Sequence, residues 1–300
     1  MLSYTKSRFH EIRIRLEHHV PSSRLNASLW EFFLFGFKQG WACLFGGILL
    51  SLLLLTKWFW PHSVWLTRYD FLFLSALTVQ VLLLVLRMET VREAKVILVF
   101  HVVGTLMELF KTDVGSWAYP ESSHFHLGHV PLFSGFMYAS VGSYLARTSR
   151  ILDMRYTNYP GRKMTLVLAI LIYANFFTHH FLPDIRVALY AFVAIAFGRT
   201  WVYYRAYRKT RRMPLLLGFG LVALFIWGAE NIGTFAMVWV YPNQRNGWQL
   251  VQFGKFGSWL LLMIISFILV SFVHPPQSPV ITTDEEEIPR GAVTTRTESA

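Results

Sequence analysis

Long apolar runs, broken by short polar intervals, set the rhythm of this chain, and their lengths match the ~20 residues a helix needs to cross a bilayer. Runs near 33 to 56, 70 to 87, 93 to 112, 131 to 147, 164 to 182, 184 to 204, 214 to 239 and 255 to 273 each predict a helix. The second and fourth are short, so they imply tilt or help from flanking residues. The turn between the fifth and the sixth, at Leu182, Pro183 and Asp184, is tight, which predicts an antiparallel hairpin. The fold expected is all-α: a polytopic membrane bundle of about eight transmembrane helices over residues 29–273. Ahead of it, residues 1–28 form a basic segment in which Phe9, Ile12, Leu16 and Val20 have the spacing of a helix lying on a membrane surface. Behind it, residues 274–300 carry Pro275, Pro276, Pro279 and the acidic run Asp284 to Glu287, and read as a disordered tail.

Inside the apolar runs the polar positions fall into stripes. His101, Gly104, Thr105, Glu108, Lys111 and Thr112 share one face of the third helix; Asn175, Thr178 and His179, with His180 alongside, share one of the fifth; Trp227, Glu230, Asn231 and Thr234 share one of the seventh. Lipid would leave such groups unsatisfied, so they are expected to face the bundle interior. Ionisable side chains kept at membrane depth are functional-site candidates. Gly135, Ala139, Gly142 and Ala146 form a small-residue stripe on the fourth helix that lets a neighbour approach closely.

Composition agrees with the pattern: 54% of the 300 residues are apolar, 15% are charged and the mean hydropathy is +0.41, the profile of a membrane protein. The net charge of +11 raises the question of nucleic acid, but Lys and Arg lie in short runs between apolar segments and make no contiguous phosphate-binding face. Those runs alternate. The N-terminal arginines, then Arg87, Arg92 and Lys95, then Arg147 to Lys163, then Arg205 to Arg212 fall on one side; Lys57, Arg68, Lys111, Arg186, Arg245 and Lys255 fall on the other. By the positive-inside rule both termini are expected in the cytoplasm, with the loop after Lys111 facing outward. The first 28 residues lack an apolar core, so no cleavable signal is expected. Trp58, Trp60, Trp65, Trp117, Trp239 and Trp248 lie near outer helix ends, where tryptophan favours the headgroup layer. The single cysteine, Cys43, excludes an intramolecular disulfide and a Cys-based metal cluster.

An offset of 122 residues carries Glu108 to Glu230, Thr112 to Thr234, Trp117 to Trp239, Tyr119 to Tyr241, Pro120 to Pro242 and Gly135 to Gly257. Both copies read as a carboxylate, eight residues, then W-x-Y-P. This suggests a degenerate parallel repeat, related by an axis along the membrane normal as in some transporters. It places Glu108 and Glu230 at matching depth below the outer face.

Two buried carboxylates can share a proton, bind a cation or flank a substrate. The catalytic candidates are therefore Glu108 and Glu230, with His101, His179 and His180 as partners. Lys111, Trp117, Tyr119, Asn175, Asn231, Trp239 and Tyr241 are candidates for substrate binding. Lys111 could instead pair with Glu108. Imidazole and carboxylate suit zinc or iron, and His124, His126 and His129 in the outer loop could extend such a set. HExxH is absent, however, and a lone His-His pair specifies neither a metal nor another cofactor. G-x-S-x-G, P-loop and dinucleotide fingerprints are missing too. Three functions fit: an enzyme embedded in the membrane and acting on a lipid or isoprenoid, a proton- or cation-coupled carrier of a small solute, and a non-catalytic membrane partner whose polar stripes only satisfy each other. The partners expected are the lipid bilayer and a lipid or small-molecule substrate, with no nucleic acid; the pattern specifies no oligomeric state.

The runs FKQGWACLFGG at 37 to 47, FHVVGTLMELFKTDVGSWAYPE at 100 to 121, PLFSGFMYASVGSY at 131 to 144, NFFTHHFLPD at 175 to 184 and MPLLLGFGLVALFIWGAENIGTF at 213 to 235 resemble the bacterial membrane family catalogued as domain of unknown function 817. That resemblance spans about Leu29 to Val273. It implies a multi-pass protein of the bacterial cytoplasmic membrane and carries no catalytic residue to any position.

Overall fold

The first apolar run does not fold as one helix. In the computed structural model, which describes residues 24–61 and 65–279, helix α1 (Arg24–Ala42) breaks at Cys43 and continues as α2 (Leu44–Phe59), bent by 69°. The amphipathic pattern of Phe9 to Val20 and the acidic run of the tail lie outside the described residues. The chain continues through α3 (Arg68–Val85), α4 (Val91–Asp113), α5 (Phe133–Ile151), α6 (Arg162–Thr178), α7 (Arg186–Phe197), α8 (Leu215–Phe235) and α9 (Phe256–Val273). A two-stranded hairpin, β1 (His126–Leu127) and β2 (Val130–Pro131), sits in the loop between α4 and α5.

The molecule is thus mostly helical. By length and composition α3, α8 and the stretch Phe253–Val273 are long and apolar enough to cross a membrane, and the bent pair α1–α2 adds a fourth if it counts as one span. Helix α4 carries the acidic and basic side chains of the predicted stripe, and α5 carries Arg147 and Arg150; these charges dilute otherwise apolar helices. Local chemistry sets several boundaries. Helix α4 starts at Val91 because Thr90 and Glu93 form a capping box, the Glu93 amide donating to Thr90 Oγ1 at 3.2 Å and the Thr90 amide to Glu93 Oε2 at 2.7 Å. The sixth predicted helix is too long by a strand: α7 ends at Phe197, and Trp201-Val-Tyr-Tyr-Arg205 forms β4, between β3 (Arg155–Thr157) and β5 (Thr210–Pro214) in an antiparallel sheet. Consecutive aromatic and β-branched residues favour a pleated surface, and Gly198 caps the helix before them.

Helices α2 to α9 alternate in direction between two ends. At one end the sheet joins the loops after α5 and α7 to the start of α8; Arg150 meets Glu93 at 2.9 Å and Arg211 meets Glu31 at 2.5 Å. At the other, cations close the C-terminus of α8, where the backbone carbonyls lack helical partners. Lys57 donates to the Phe235 carbonyl, and Arg68 Nη2 donates to that of Ala236 at 2.7 Å. Between the ends, α4 and α5 make the closest pair. Gly104, Gly135 and Gly142 face Tyr138, His101 with Thr105, and Phe100 respectively, so the small-residue stripe does bring the two backbones together.

Asp70, fully buried in the first turn of α3, anchors the loop after α4. It accepts from the amides of His124 (2.9 Å) and Phe125 (3.0 Å) and from the Ser123 hydroxyl (2.7 Å). In Asp70→Asn the NH₂ would take the place of Oδ2, which faces the His124 amide at 3.1 Å and its ring Nδ1 at 2.6 Å, so stability should fall by about 1–3 kcal/mol. Hydrogen exchange at the His124 and Phe125 amides should accelerate in that variant; unchanged protection would show that Asp70 is not the anchor.

Candidate active site

Each glutamate of the offset pair sits five residues before the last residue of its helix, Glu108 before Asp113 and Glu230 before Phe235, and each is 3% exposed. Each is held by aromatic donors. Glu108 Oε2 accepts from the Trp117 indole and the Tyr119 hydroxyl, both at 2.7 Å, and its Oε1 accepts from the Tyr138 hydroxyl at 2.8 Å. Glu230 Oε1 accepts from the Tyr241 hydroxyl and Oε2 from the Trp259 indole. Burial, and after it the carboxylate each one faces, keeps the Tyr119 and Tyr241 hydroxyls protonated well above the usual tyrosine range, so both remain donors.

The two W-x-Y-P loops meet. Ala118 and Val240, also 122 positions apart, form an antiparallel bridge in which the Ala118 amide donates to the Val240 carbonyl (3.0 Å) and the Val240 amide returns the bond (2.9 Å). Such a reciprocal pair has local two-fold symmetry about its midpoint. It lets Trp117 pack edge-on against Tyr241, ring centroids 6.0 Å apart. The symmetry is not complete. Gly233 stands where the first copy has Lys111, and the Trp239 ring packs against it, whereas Trp117 turns to its own glutamate.

Both glutamates line one cavity of about 140 Å³, walled otherwise by mostly apolar side chains, by Ser140 and Ser266, and by the aromatics Trp117, Tyr138, Trp239, Tyr241 and Trp259. That space compares with cavities of about 150 Å³ that admit a benzene-sized ligand.

The histidines lie elsewhere. His101 packs on Phe136, ring centroids 4.5 Å apart, against the backbone of Gly135. His180 Nε2 is 2.8 Å from Lys111 Nζ; desolvation and that cation push the imidazole below its ordinary range, so it is neutral and accepts the ammonium's hydrogen bond. His179 bonds the Asn175 carbonyl through Nδ1 and stacks on His180. Among the described residues none of the three hydrogen-bonds a glutamate, Lys111 turns away from Glu108, and no three His, Cys, Asp or Glu side chains gather as metal ligands. His124 bonds Asp70 and His126 bonds the Gly128 carbonyl. Asn175 ties the α6–α7 turn through Asp184 and the Ile185 amide, and Asn231 holds the Val251 amide. Trp117 belongs to the Glu108 cage and Trp239 to the buried core, whereas Trp65 is 88% exposed.

Tyr138 and Trp259 were not among the residues singled out from the sequence. The signal for them was the repeat: both stand within one turn of the paired glycines Gly135 and Gly257.

A mostly helical protein with three or four helices of membrane length, carrying two caged carboxylates on one apolar cavity, is the class that fold and site define. The chain belongs to the family described as "Protein of unknown function (DUF817)", which it matches over residues 31–267. It is similar to the Bacillus subtilis (strain 168) protein described as "Uncharacterized protein YoaT", with 45% identity over 237 residues, 79% of this chain and 89% of that relative. No solved structure matches it.

Proposed function

We propose that this chain is a multi-pass protein of the bacterial cytoplasmic membrane that acts as an acid–base enzyme on a lipid or isoprenoid. In this reading α2 to α9 supply eight crossings, α1 joins the first across its bend, and both termini are cytoplasmic. Orientation is supported by the arginines gathered at the sheet end, which by the positive-inside rule faces the cytoplasm and leaves the W-x-Y-P end outward. The reciprocal bridge at Ala118 and Val240 supports a parallel duplication, with its axis along the membrane normal.

One observation carries the enzymatic reading: two carboxyl groups, each oriented by neutral aromatic donors, share a cavity whose remaining wall is mostly apolar. In such a place a carboxylic acid can protonate a carbon–carbon double bond. The resulting cation faces aromatic rings, which favour it. The second carboxylate then removes a proton from the neighbouring carbon, which moves the double bond, or takes one from a water that adds to the cation, which hydrates it. Either way the two carboxyl groups exchange protonation states. The chemistry needs the groups held unequally, and their surroundings are unequal: three donors around Glu108, two around Glu230 with Lys255 nearby. The test is the lipid extract of a deletion strain complemented with wild type, Glu108→Gln or Glu230→Gln. The variants should share the deletion profile; profiles identical to wild type in all three strains would refute the reading.

The 69° break at Cys43 favours a second reading, a coupled carrier, since broken helices accompany transport. It requires gradient-driven solute flux in proteoliposomes, which an enzyme alone would not give.

A further inference from the structure

A second cavity, of about 560 Å³, opens at the sheet end between the start of α4 and the ends of α5 and α9, and shares no lining residue with the cavity of the glutamates. Its size falls within the ~300–1,000 Å³ of small-molecule sites. The carboxylates in its wall are already answered. Glu93 accepts from Arg150 Nε at 2.9 Å and from the Thr90 amide at 2.7 Å; Asp153 accepts from Arg155 Nε at 3.1 Å and lies 3.8 Å from Arg205 Nη2. Several donors in the wall are not. Arg92 is exposed and makes no hydrogen bond or ion pair among the described residues. The amides of Val91 and Arg92, in the first turn of α4, have no acceptor within the helix and stand at the positive end of its dipole. His274 Nε2 is shielded from water without a hydrogen-bond partner, in a segment that the Tyr156 amide pins by donating to the Gln277 carbonyl at 2.8 Å. A helix N-terminus with a free guanidinium beside it suits a phosphate.

The outer face of α4 indicates where that phosphate comes from. Val91, in the cavity wall, is followed on the same face by Leu98, Val102 and Leu106, each more than half exposed. An apolar strip thus runs from the cavity's edge along the helix. We infer that the cavity binds a phosphate ester, and that the membrane supplies it as the headgroup of a glycerophospholipid whose acyl chains lie along this strip. Arg92, the two first-turn amides and His274 hold the phosphate, and the chains stay outside the bundle. Basic pockets between helices at headgroup level bind anionic lipids in this way. The inference rests on the membrane placement proposed above and on none of its acid–base chemistry.

The experiment titrates the purified full chain in neutral detergent with dioctanoyl phosphatidylglycerol, dioctanoylglycerol, which lacks the phosphate, and glycerol 3-phosphate, which lacks the chains, read by calorimetry. The phospholipid should bind about tenfold or more tightly than either fragment. Arg92→Gln should erase most of that preference. Arg199→Gln removes an exposed arginine of the same end that does not line the cavity, and should leave it intact. Both variants should melt like wild type without lipid, since neither side chain is buried. Dioctanoylglycerol binding as tightly as the phospholipid overturns the phosphate site. Glycerol 3-phosphate binding as tightly overturns the lipid as its source. Equal losses in the two variants show diffuse charge attraction and overturn the site, as does binding of no probe. Carbonate washing of cell membranes tests the placement separately: a chain released into the wash refutes the membrane reading, whereas a retained chain with failed titrations refutes the headgroup site alone.

Discussion

If the proposed acid–base reaction is the protein's activity, conversion of its lipid or isoprenoid substrate in Glu108→Gln is expected to fall by roughly 10²- to 10⁴-fold, the usual contribution of a positioned acid or base, while the fold survives. The glutamine keeps the shape of the side chain. Its carbonyl can still accept from both Trp117 and Tyr119, which share one oxygen of Glu108, and its NH₂ can donate to the Tyr138 hydroxyl, which rotates to receive it. The stability cost should stay near the ~1 kcal/mol of a single altered hydrogen bond. Glu108→Ala is the less informative change: it would orphan three buried donors at about 1–3 kcal/mol each and confound activity with folding. Glu230→Gln should reproduce the loss, because two carboxyls that exchange roles fail together. Product yield per folded protein, with melting temperature alongside, checks this. Near-wild-type conversion in either variant would remove that glutamate from the chemistry.

The largest effect on stability is expected at Gly135. A Cβ there would lie 2.5 Å from His101 Nδ1, 2.6 Å from Thr105 Oγ1 and 2.7 Å from the His101 carbonyl. The third contact is backbone, so no rotamer change relieves it; α4 and α5 would have to separate. Overpacking of this kind costs about 1–3 kcal/mol, and more where backbone must move, so Gly135→Ala should lower the melting temperature measurably. Separation would also pull Tyr138 on α5 away from Glu108 on α4. The same variant should therefore lose activity, with an intact Glu108. Gly47→Ala, where a Cβ has nothing within 4 Å, is the control and should melt like wild type.

Periodicity made the stripes legible, and it made α4, α5 and α8 legible with them. The W-x-Y-P offset pointed to the two glutamates that share the cavity. The same periodicity misled over His101. Seven residues return to the same face of a helix but rise roughly 10 Å along it, so a shared stripe with Glu108 is not a shared site. His179 and His180 lie past Thr178, where α6 ends, and the turn directs His180 to Lys111. Tyr138 and Trp259 were hidden because an aromatic residue on an apolar helix has the same appearance whether it packs or donates a hydrogen bond. Asp70 was hidden because an acid in a first turn ordinarily serves the helix dipole. The buried group near the sheet end escaped notice for a related reason: Glu89, which accepts from Gln80 (2.6 Å) and Ser143 (2.7 Å) with Arg147 at 3.5 Å, draws its partners from two other segments, α3 and α5. No spacing within one segment encodes it.

The central claim is that the two hairpins meet at their outward loops around a local two-fold axis, so that Glu108 and Glu230 face one cavity. Cross-linking tests it most directly. With Cys43 replaced by Ser, Ala118→Cys and Val240→Cys would occupy a directly opposed antiparallel pair, whose Cα separation of about 5.5 Å suits a disulfide. The account predicts that the double variant forms an intramolecular cross-link under mild oxidation of intact cells, and that a membrane-impermeant reductant reverses it. Failure to cross-link, or a cross-link that forms only after the membrane is broken open, would contradict it.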